Sequence, residues 1–287
     1  MLIIGERINS SRRSIEQAIS EKNAPFLIEQ ARLQAESGAN FVDVNCAVRL
    51  KKEKEDLVWL MKILQDNLNI PISIDSPDPE VIDAALGAHK GKPFVNSITA
   101  ESKKLKTMLD ILKGREVFII ALTMDDSGIP SGFEERISIA KNMVDFLKKA
   151  GINADNIYVD PLVKPISSEP DQAKQFLEAV VILKQNGIKT IGGLSNVSYG
   201  LPARRILNAA FLSLAIKAGI DAVIIDPVDK LIQSAIKRQR KGSDADARTL
   251  RPVSDPNAFN LARKALLGED SYCANYIKAF REGKLNA

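Results

Sequence analysis

The sequence is poor in the residues on which much hydrolytic and redox chemistry depends. Its 287 residues include one histidine, two cysteines and one tryptophan. A single histidine argues against zinc-hydrolase sites, Ser-His-Asp triads and Cys-His pairs, each of which normally draws on imidazole. That residue, His89, lies in the polar stretch 87–92 and is expected to be a solvated loop residue. Cys46 and Cys273 are too few to staple a chain this long, which fits a reducing, cytoplasmic setting. Glu6 and Arg7 interrupt the first apolar run too early for a secretory leader, and no run of eighteen apolar residues offers a membrane span. Aromatic residues make up 5% and the formal net charge is +4, so neither the stacking platform nor the basic face of a nucleic-acid binder is present. Neither GxGxxG nor GxxxxGK[ST] occurs, and Gly192-Gly193 alone is too little for a nucleotide phosphate site. The chemistry has to rest on carboxylates, amides, the backbone or a borrowed cofactor.

What is present is a regular alternation. The hydrophobic fraction of 45% and charged fraction of 26% allow a large core in one α/β domain. Short β-branched runs at 2–4, 41–44, 72–74, 94–95, 117–122, 157–159, 190–192 and 222–225 read as buried parallel strands. Helical patterns at 24–37, 54–67, 79–86, 101–112, 134–150, 171–185 and 205–218 separate them. Gly38, Gly87, Gly114, Gly151, Gly187 and Gly219 follow helical segments as C-caps. Eight β/α repeats in this length predict a (β/α)8 TIM barrel spanning 1–287, with a doubly wound open sheet as the structural alternative. The stretch 237–255 is polar, lacks apolar periodicity and reads as a solvated insertion with six basic residues. Patterns at 257–266 and 272–280, within 257–281, predict two closing helices.

In a barrel the active site is built at the C-terminal ends of the strands. Those positions hold Glu6, Arg7 and Asn9; Asp43, Asn45 and Cys46; Asp75 and Ser76; Asn96 and Ser97; Thr123 and Asp125; Asp160; Ser195, Asn196 and Ser198; and Asp226. Helix capping accounts for any one of them. It accounts less well for Asp43, Asp75, Asn96 and Asp160, which directly follow apolar runs. A ring of acceptors and amides with few cations suits a neutral, nitrogen-rich heterocycle, whose exocyclic amine and ring N–H offer two donors to one carboxylate.

Seven motifs in order carry a family resemblance: MLIIGERIN at 1–9, FVDVN at 41–45, SIDS at 73–76, VNSI at 95–98, LTMDDSGIP at 122–130, YVDPL at 158–162 and GLSNVS at 193–198. They resemble the pterin-binding methyltransferases, in particular the methyltetrahydrofolate:corrinoid protein methyltransferases, which are related to the folate domain of cobalamin-dependent methionine synthase. The match runs to about residue 236 and returns at SYCANYIKAF, 271–280. The resemblance implies a pterin-binding TIM barrel that moves a methyl group between N5 of tetrahydrofolate and the cobalt of a corrinoid carried on a separate protein. It also implies a homodimer. By that resemblance Asp75, Asn96 and Asp160 hydrogen-bond the pterin, and Asn196 approaches N5. Asp43 and Asn45 line the same floor with Ser195 nearby, and Arg204 sits toward the outer part of the folate. Asn196 and Asp160 are then the expected catalytic pair. No protein-bound metal is expected. Asn196 is a neutral amide that donates to N5 but supplies no proton, so a relay through water to Asp160 or Asp43 completes the network.

Two features depart from the family. Tyr199 stands where relatives carry an amide-bearing residue, and it either covers the pterin or packs in its loop; the 237–255 stretch is longer than the family's. These departures tilt the direction toward tetrahydrofolate as acceptor, as in demethylation. A dihydropteroate synthase-like enzyme is the nearest alternative, but it needs a lysine that LSNVSYG, 194–200, does not supply. A full methionine synthase needs a zinc-thiolate module that two distant cysteines cannot make. A non-catalytic folate-binding barrel is the alternative from another class.

Overall fold

The computed structural model describes residues 1–130, 132–240 and 256–285. Residues 241–255, most of the polar stretch expected at 237–255, lie outside the described residues. The chain divides into two compact units, Met1–Asp160 and Pro161–Ala287.

In the first unit six strands run in sequence order: β1 (Leu2–Asn9), β2 (Phe41–Asn45), β3 (Ile72–Asp75), β4 (Phe94–Thr99), β5 (Phe118–Leu122) and β6 (Ile157–Asp160). Each pairs in parallel with its sequence neighbours. The helices are α1 (Arg13–Ser20), α2 (Ala24–Glu36), α3 (Glu53–Asn67), α4 (Pro79–Ala88), α5 (Ser102–Leu112) and α6 (Phe133–Lys149). On α3, Leu57, Leu60, Met61 and Leu64 are all buried, as their helical spacing requires. Gly5 in β1 is a close-approach residue. A Cβ there would lie 2.4 Å from Oε1 of Gln34 on α2, the same oxygen that accepts from the Arg7 N–H at 2.9 Å.

Several boundaries differ from the sequence expectation. β1 continues to Asn9 and β4 to Thr99, because backbone pairing persists after the apolar run has ended. Helix α1 has no apolar run to announce it and no side-chain cap at Arg12. Gly87 is inside α4 and not its cap; the helix ends at His89, whose ring is half-buried and whose pKa burial lowers. His89 is therefore not the solvated loop residue expected.

The second unit holds α7 (Gln172–Gln185), β7 (Lys189–Thr190), α8 (Arg204–Ala218), β8 (Ala222–Ile225), α9 (Lys230–Arg240), α10 (Pro256–Leu266) and α11 (Ala274–Arg281). The expected strand 190–192 is shifted to end at Thr190. Gly192 and Gly193 carry the chain past β8, with Ile224 N–H donating to the Gly192 carbonyl at 2.9 Å and Gly193 bridging Ile224 in parallel. A Cβ on Gly192 would sit 2.6 Å from the Phe176 ring, so only glycine fits under α7. The two closing helices are present as α10 and α11. Asp270 anchors α11, accepting from the backbone N–H groups of Asn275 and Tyr276, each at 3.0 Å. Among the described residues no helix is long and apolar enough to cross a membrane, and no His/Cys/Asp/Glu group is placed to hold a metal ion.

Candidate active site

Strand alternation sorts the inward residues of the first unit into two layers. Toward the strand N-termini lie Phe41, Phe94, Phe118 and Tyr158. Phe94 packs edge-on against Phe41 with centroids 4.8 Å apart, stacks on Phe118 at 4.9 Å, and meets Tyr158 at 5.2 Å. Two residues further along the same strands stand Asp43 on β2, Asn96 on β4 and Asp160 on β6. The aromatic layer is thus a floor beneath a polar layer, with Lys92 Nζ 4.1 Å from the Phe118 ring centre.

The polar layer is tightly wired. Asp43, 3% exposed, accepts from the Ser73 hydroxyl at 2.6 Å and from the Asn96 amide at 3.1 Å through the same Oδ1. Burial raises the Asp43 pKa against the opposing pull of those donors. Asp75 is raised well above the usual carboxylate range, first by burial and then by the charge of Asp43; the amide of Asn45 opposes this, and Glu53 adds to it. Glu53 is itself buried and accepts from Ser76 Oγ at 2.6 Å. Among the described residues neither Asp43 nor Asp75 is ion-paired. Burial and the repulsion between the two carboxyls both favour the protonated form. Such a pair accepts at some atoms and donates at others, which matches the alternating donors and acceptors along the edge of a heterocycle.

The structure separates strand-end residues that cap loops from those that do not. Asn9 accepts from Ser11 N–H, Ser76 from Asp78, Asp125 from Ser127 and Asp226 from Val228, all at 2.9–3.1 Å. Asn45 does both jobs, its Oδ1 holding Ala47 N–H at 3.1 Å and Ser10 Oγ at 3.2 Å while its amide faces Asp75. Asp160 is buried at the end of β6, and its carbonyl accepts from both the N–H and the hydroxyl of Thr123 at 3.1 Å. The structure thus brings Asp43, Asp75, Asn96 and Asn45 into one network on β2, β3 and β4, and places Asp160 at the end of β6, with β5 between.

In the second unit Asn196 rides on the short 3-10 turn Leu194–Ser198. Its side chain is exposed and carries no hydrogen bond among the described residues. Gly193 leaves room for it: a Cβ there would lie 3.4 Å from Asn196 Nδ2. Its neighbours are firmly held. Ser198, fully buried, donates to Asn208 Oδ1 at 2.7 Å and accepts from Arg204 Nε at 3.0 Å. Arg204 Nη2 donates to the Ser195 carbonyl at 2.8 Å, and Asn208 Nδ2 reaches Ser195 Oγ at 3.4 Å. Tyr199 is 67% exposed, with the Arg204 guanidinium 6.0 Å from its ring centre. Arg204 is therefore tied to the turn. Sequence reading missed Ser73, Glu53 and Asn208. Ser73 was findable, since it alternates with Asp75 on one strand face; Asn208 sits on a helix and carries no such signal.

Comparison with known proteins places this geometry. The pterin binding enzyme family profile matches residues 5–226. A methylcorrinoid:tetrahydrofolate methyltransferase of Eubacterium limosum is 33% identical, covering 99% of this chain and 98% of that protein. A methionine synthase of Mycobacterium tuberculosis is 26% identical over 86% of this chain, which spans only 22% of that longer protein. Among solved structures, a Xanthomonas albilineans dihydropteroate synthase in complex with 7,8-dihydropteroate superposes with a TM-score of 0.68 at 18% identity, covering 85% of this chain and 94% of the other. That likeness shows the fold, a (β/α)8 TIM barrel of the dihydropteroate synthase kind.

Proposed function

The chain belongs to the pterin-binding enzymes, and on that premise we propose that it is a methyltransferase passing a methyl group between a methylcorrinoid and N5 of tetrahydrofolate. The geometric observation that carries the reading is the Asp43–Ser73–Asn96–Asp75 network, a hydrogen-bonding edge above an aromatic floor in which, among the described residues, neither carboxyl is ion-paired. The full-length relative of Eubacterium limosum supports tetrahydrofolate as the acceptor. The corrinoid, brought by a partner protein, supplies the methyl group at cobalt. Everything else falls to this chain. Asp75, Asn96 and Asp160 bind the pterin through its amine and ring N–H groups, with Asp43 and Asn45 fixing their orientation. Asn196 meets N5 with its unengaged amide, and Ser195, Tyr199 and Arg204 border the outer part of the folate.

The proton balance defines the residues' work. When N5 of tetrahydrofolate gains a methyl group its proton has to leave, and in the reverse direction a proton on N5 makes a poor leaving group a better one. Asn196 hydrogen-bonds N5 without titrating, and water links it to the buried carboxylate of Asp160 or Asp43. A homodimer in the cytoplasm, working with a separate corrinoid protein, completes the proposal; equilibrium sedimentation checks the dimer.

The test mixes the protein with tetrahydrofolate and free methylcobalamin and follows cobalamin absorbance in both directions. Asn196→Ala is expected to lower the transfer rate about 100-fold while tetrahydrofolate affinity, read by calorimetry, stays nearly constant. Asp75→Ala or Asp160→Ala strands pterin donors and is expected to weaken binding by about 1–3 kcal/mol. No heat with any folate refutes the reading. Folate binding without transfer in the wild-type protein leaves a non-catalytic folate barrel.

A further inference from the structure

The proposed chemistry asks Asn196 to hold its amide at one atom of the substrate, yet Asn196 is exposed and rests on a single turn of 3-10 helix. Nothing in its own side chain fixes it. What is fixed is the backbone on either side. Ser195 is gripped at its carbonyl by Arg204 (2.8 Å) and approached at its hydroxyl by Asn208 Nδ2 (3.4 Å). Ser198 is gripped at its hydroxyl by both Arg204 Nε (3.0 Å) and Asn208 Oδ1 (2.7 Å). Both gripping residues project from α8 (Arg204–Ala218), whose inner face is packed through Ile206, Leu207, Ala209 and Ala210. The brace joins a rigid helix to the two residues that flank Asn196 and Val197.

We propose that Asn208 and Ser198, anchored by Arg204, are positioning residues for the methyl transfer, acting through Asn196. The inference rests on the methyltransferase reading above and deepens it. Ser198 is the node, since its hydroxyl proton goes to Asn208 while a lone pair takes the Arg204 N–H. The two bonds fix the hydroxyl's direction and lock the turn to the helix. Arg204 is surface-exposed and its two bonds go to neutral oxygens, so its job here is geometric and not charge pairing. Removing either partner of the Ser198–Asn208 bond leaves the Asn196 side chain intact and lets its backbone drift.

The test uses the full chain with tetrahydrofolate and methylcobalamin. Asn208→Ala and Ser198→Ala are each expected to cut kcat about 10- to 100-fold, the scale of an ångström-sized misplacement, with KM for tetrahydrofolate changed less than about 3-fold. Asn208→Asp keeps the acceptor for the Ser198 hydroxyl and is expected to restore most of the rate. On an Asn196→Ala background, Asn208→Ala is expected to cost nothing further, because there is no amide left to position. An equal loss in both backgrounds, or a loss expressed in KM alone, overturns the inference. A second readout is independent of turnover: the Asn196 side-chain amide signal in a nitrogen–proton NMR spectrum, identified by its absence in Asn196→Ala, is expected to shift in Ser198→Ala. An unmoved signal also overturns it. A wild-type protein that transfers no methyl while this signal shifts in the variant sinks the methyltransferase reading and leaves the brace standing. If Asn208→Ala fails to fold, Ser198→Ala, which removes only one hydroxyl, carries the test.

Discussion

Asp43 offers a test in which hydrogen bonding and charge burial pull in opposite directions. Asp43→Ala takes away the acceptor of the Ser73 hydroxyl, a 2.6 Å bond in a residue with no exposed surface, and of the half-buried Asn96 amide at 3.1 Å. Asn96 can turn toward water, whereas Ser73 cannot, so the loss is about 1–3 kcal/mol for one stranded buried donor. Asp43→Asn keeps an Oδ1 for Ser73 and no longer buries a carboxylate. It is expected to be more stable than the alanine variant by about that same 1–3 kcal/mol, and at alkaline pH to match or exceed the wild type. The pH dependence follows from linkage. The folded pKa values of Asp43 and Asp75 are raised by burial above the ordinary 3.8, so the folded protein keeps a proton that the unfolded chain has released. Stability is therefore full below the unfolded pKa and declines as pH rises through the raised folded values. Asp43→Asn removes one of the two carboxyls and the charge that helps raise Asp75, and is expected to flatten that decline. Urea unfolding followed by circular dichroism at pH 5 and pH 8 reads both effects. Equal midpoints for the two variants at pH 8, or an undiminished slope in Asp43→Asn, refute the reasoning.

Three further outcomes are expected. Gly192→Ala drives a methyl group to 2.6 Å from the Phe176 ring and 3.3 Å from Val163, and is expected to cost about 1–3 kcal/mol as overpacking, read as a lowered urea midpoint that Phe176→Leu partly restores. Arg49 binds Asp56 at 2.8 Å and Glu16 at 2.7 Å; Arg49→Ala leaves the buried Asp56 with Lys22 alone and is expected to lose about 1.5–3 kcal/mol by the same measurement. Burial, with the charges of Asp56 and Glu53, pushes the Cys46 thiol up to about 12, and burial with Asp270 pushes Cys273 to about 11. At pH 8 a thiol reagent is therefore expected to leave both cysteines of the native protein untouched and to titrate both after denaturation.

Apolar runs and glycine stops carried most of the fold. Gly38, Gly114, Gly151, Gly187 and Gly219 all adopt positive φ at helix ends, as C-capping asks. The runs report burial and not backbone pairing, which is why β1 extends through Glu6 to Asn9 and β4 through Asn96 to Thr99 unannounced. Helix α1 is eight residues with three buried, too short a stripe to stand out. For the site, residue type and placement were enough to pick out Asp43, Asp75 and Asn96, but not what distinguishes them from Asn9 or Asp226, whose side chains close local turns. That distinction depends on the neighbouring strand's register, Asp43 opposite Ser73 and Asp75 opposite Asn96. Arg204 illustrates the opposite limit. A surface arginine invites a reading as an anion ligand, and only the position of Ser198 reveals that it is fastened inward.

The layer of Phe41, Phe94, Phe118 and Tyr158 has a kinetic corollary. Three hydrocarbon rings and one lone phenol make no continuous relay for hydrogen ions, so on this side of the first unit the open route to and from Asp43 and Asp75 is by way of the strand carboxyl ends. A substrate seated over those acids stoppers them. Their ionisation state is then frozen for the lifetime of the complex, and an enzyme loaded in mild acid and abruptly made alkaline remembers the acid until the ligand departs.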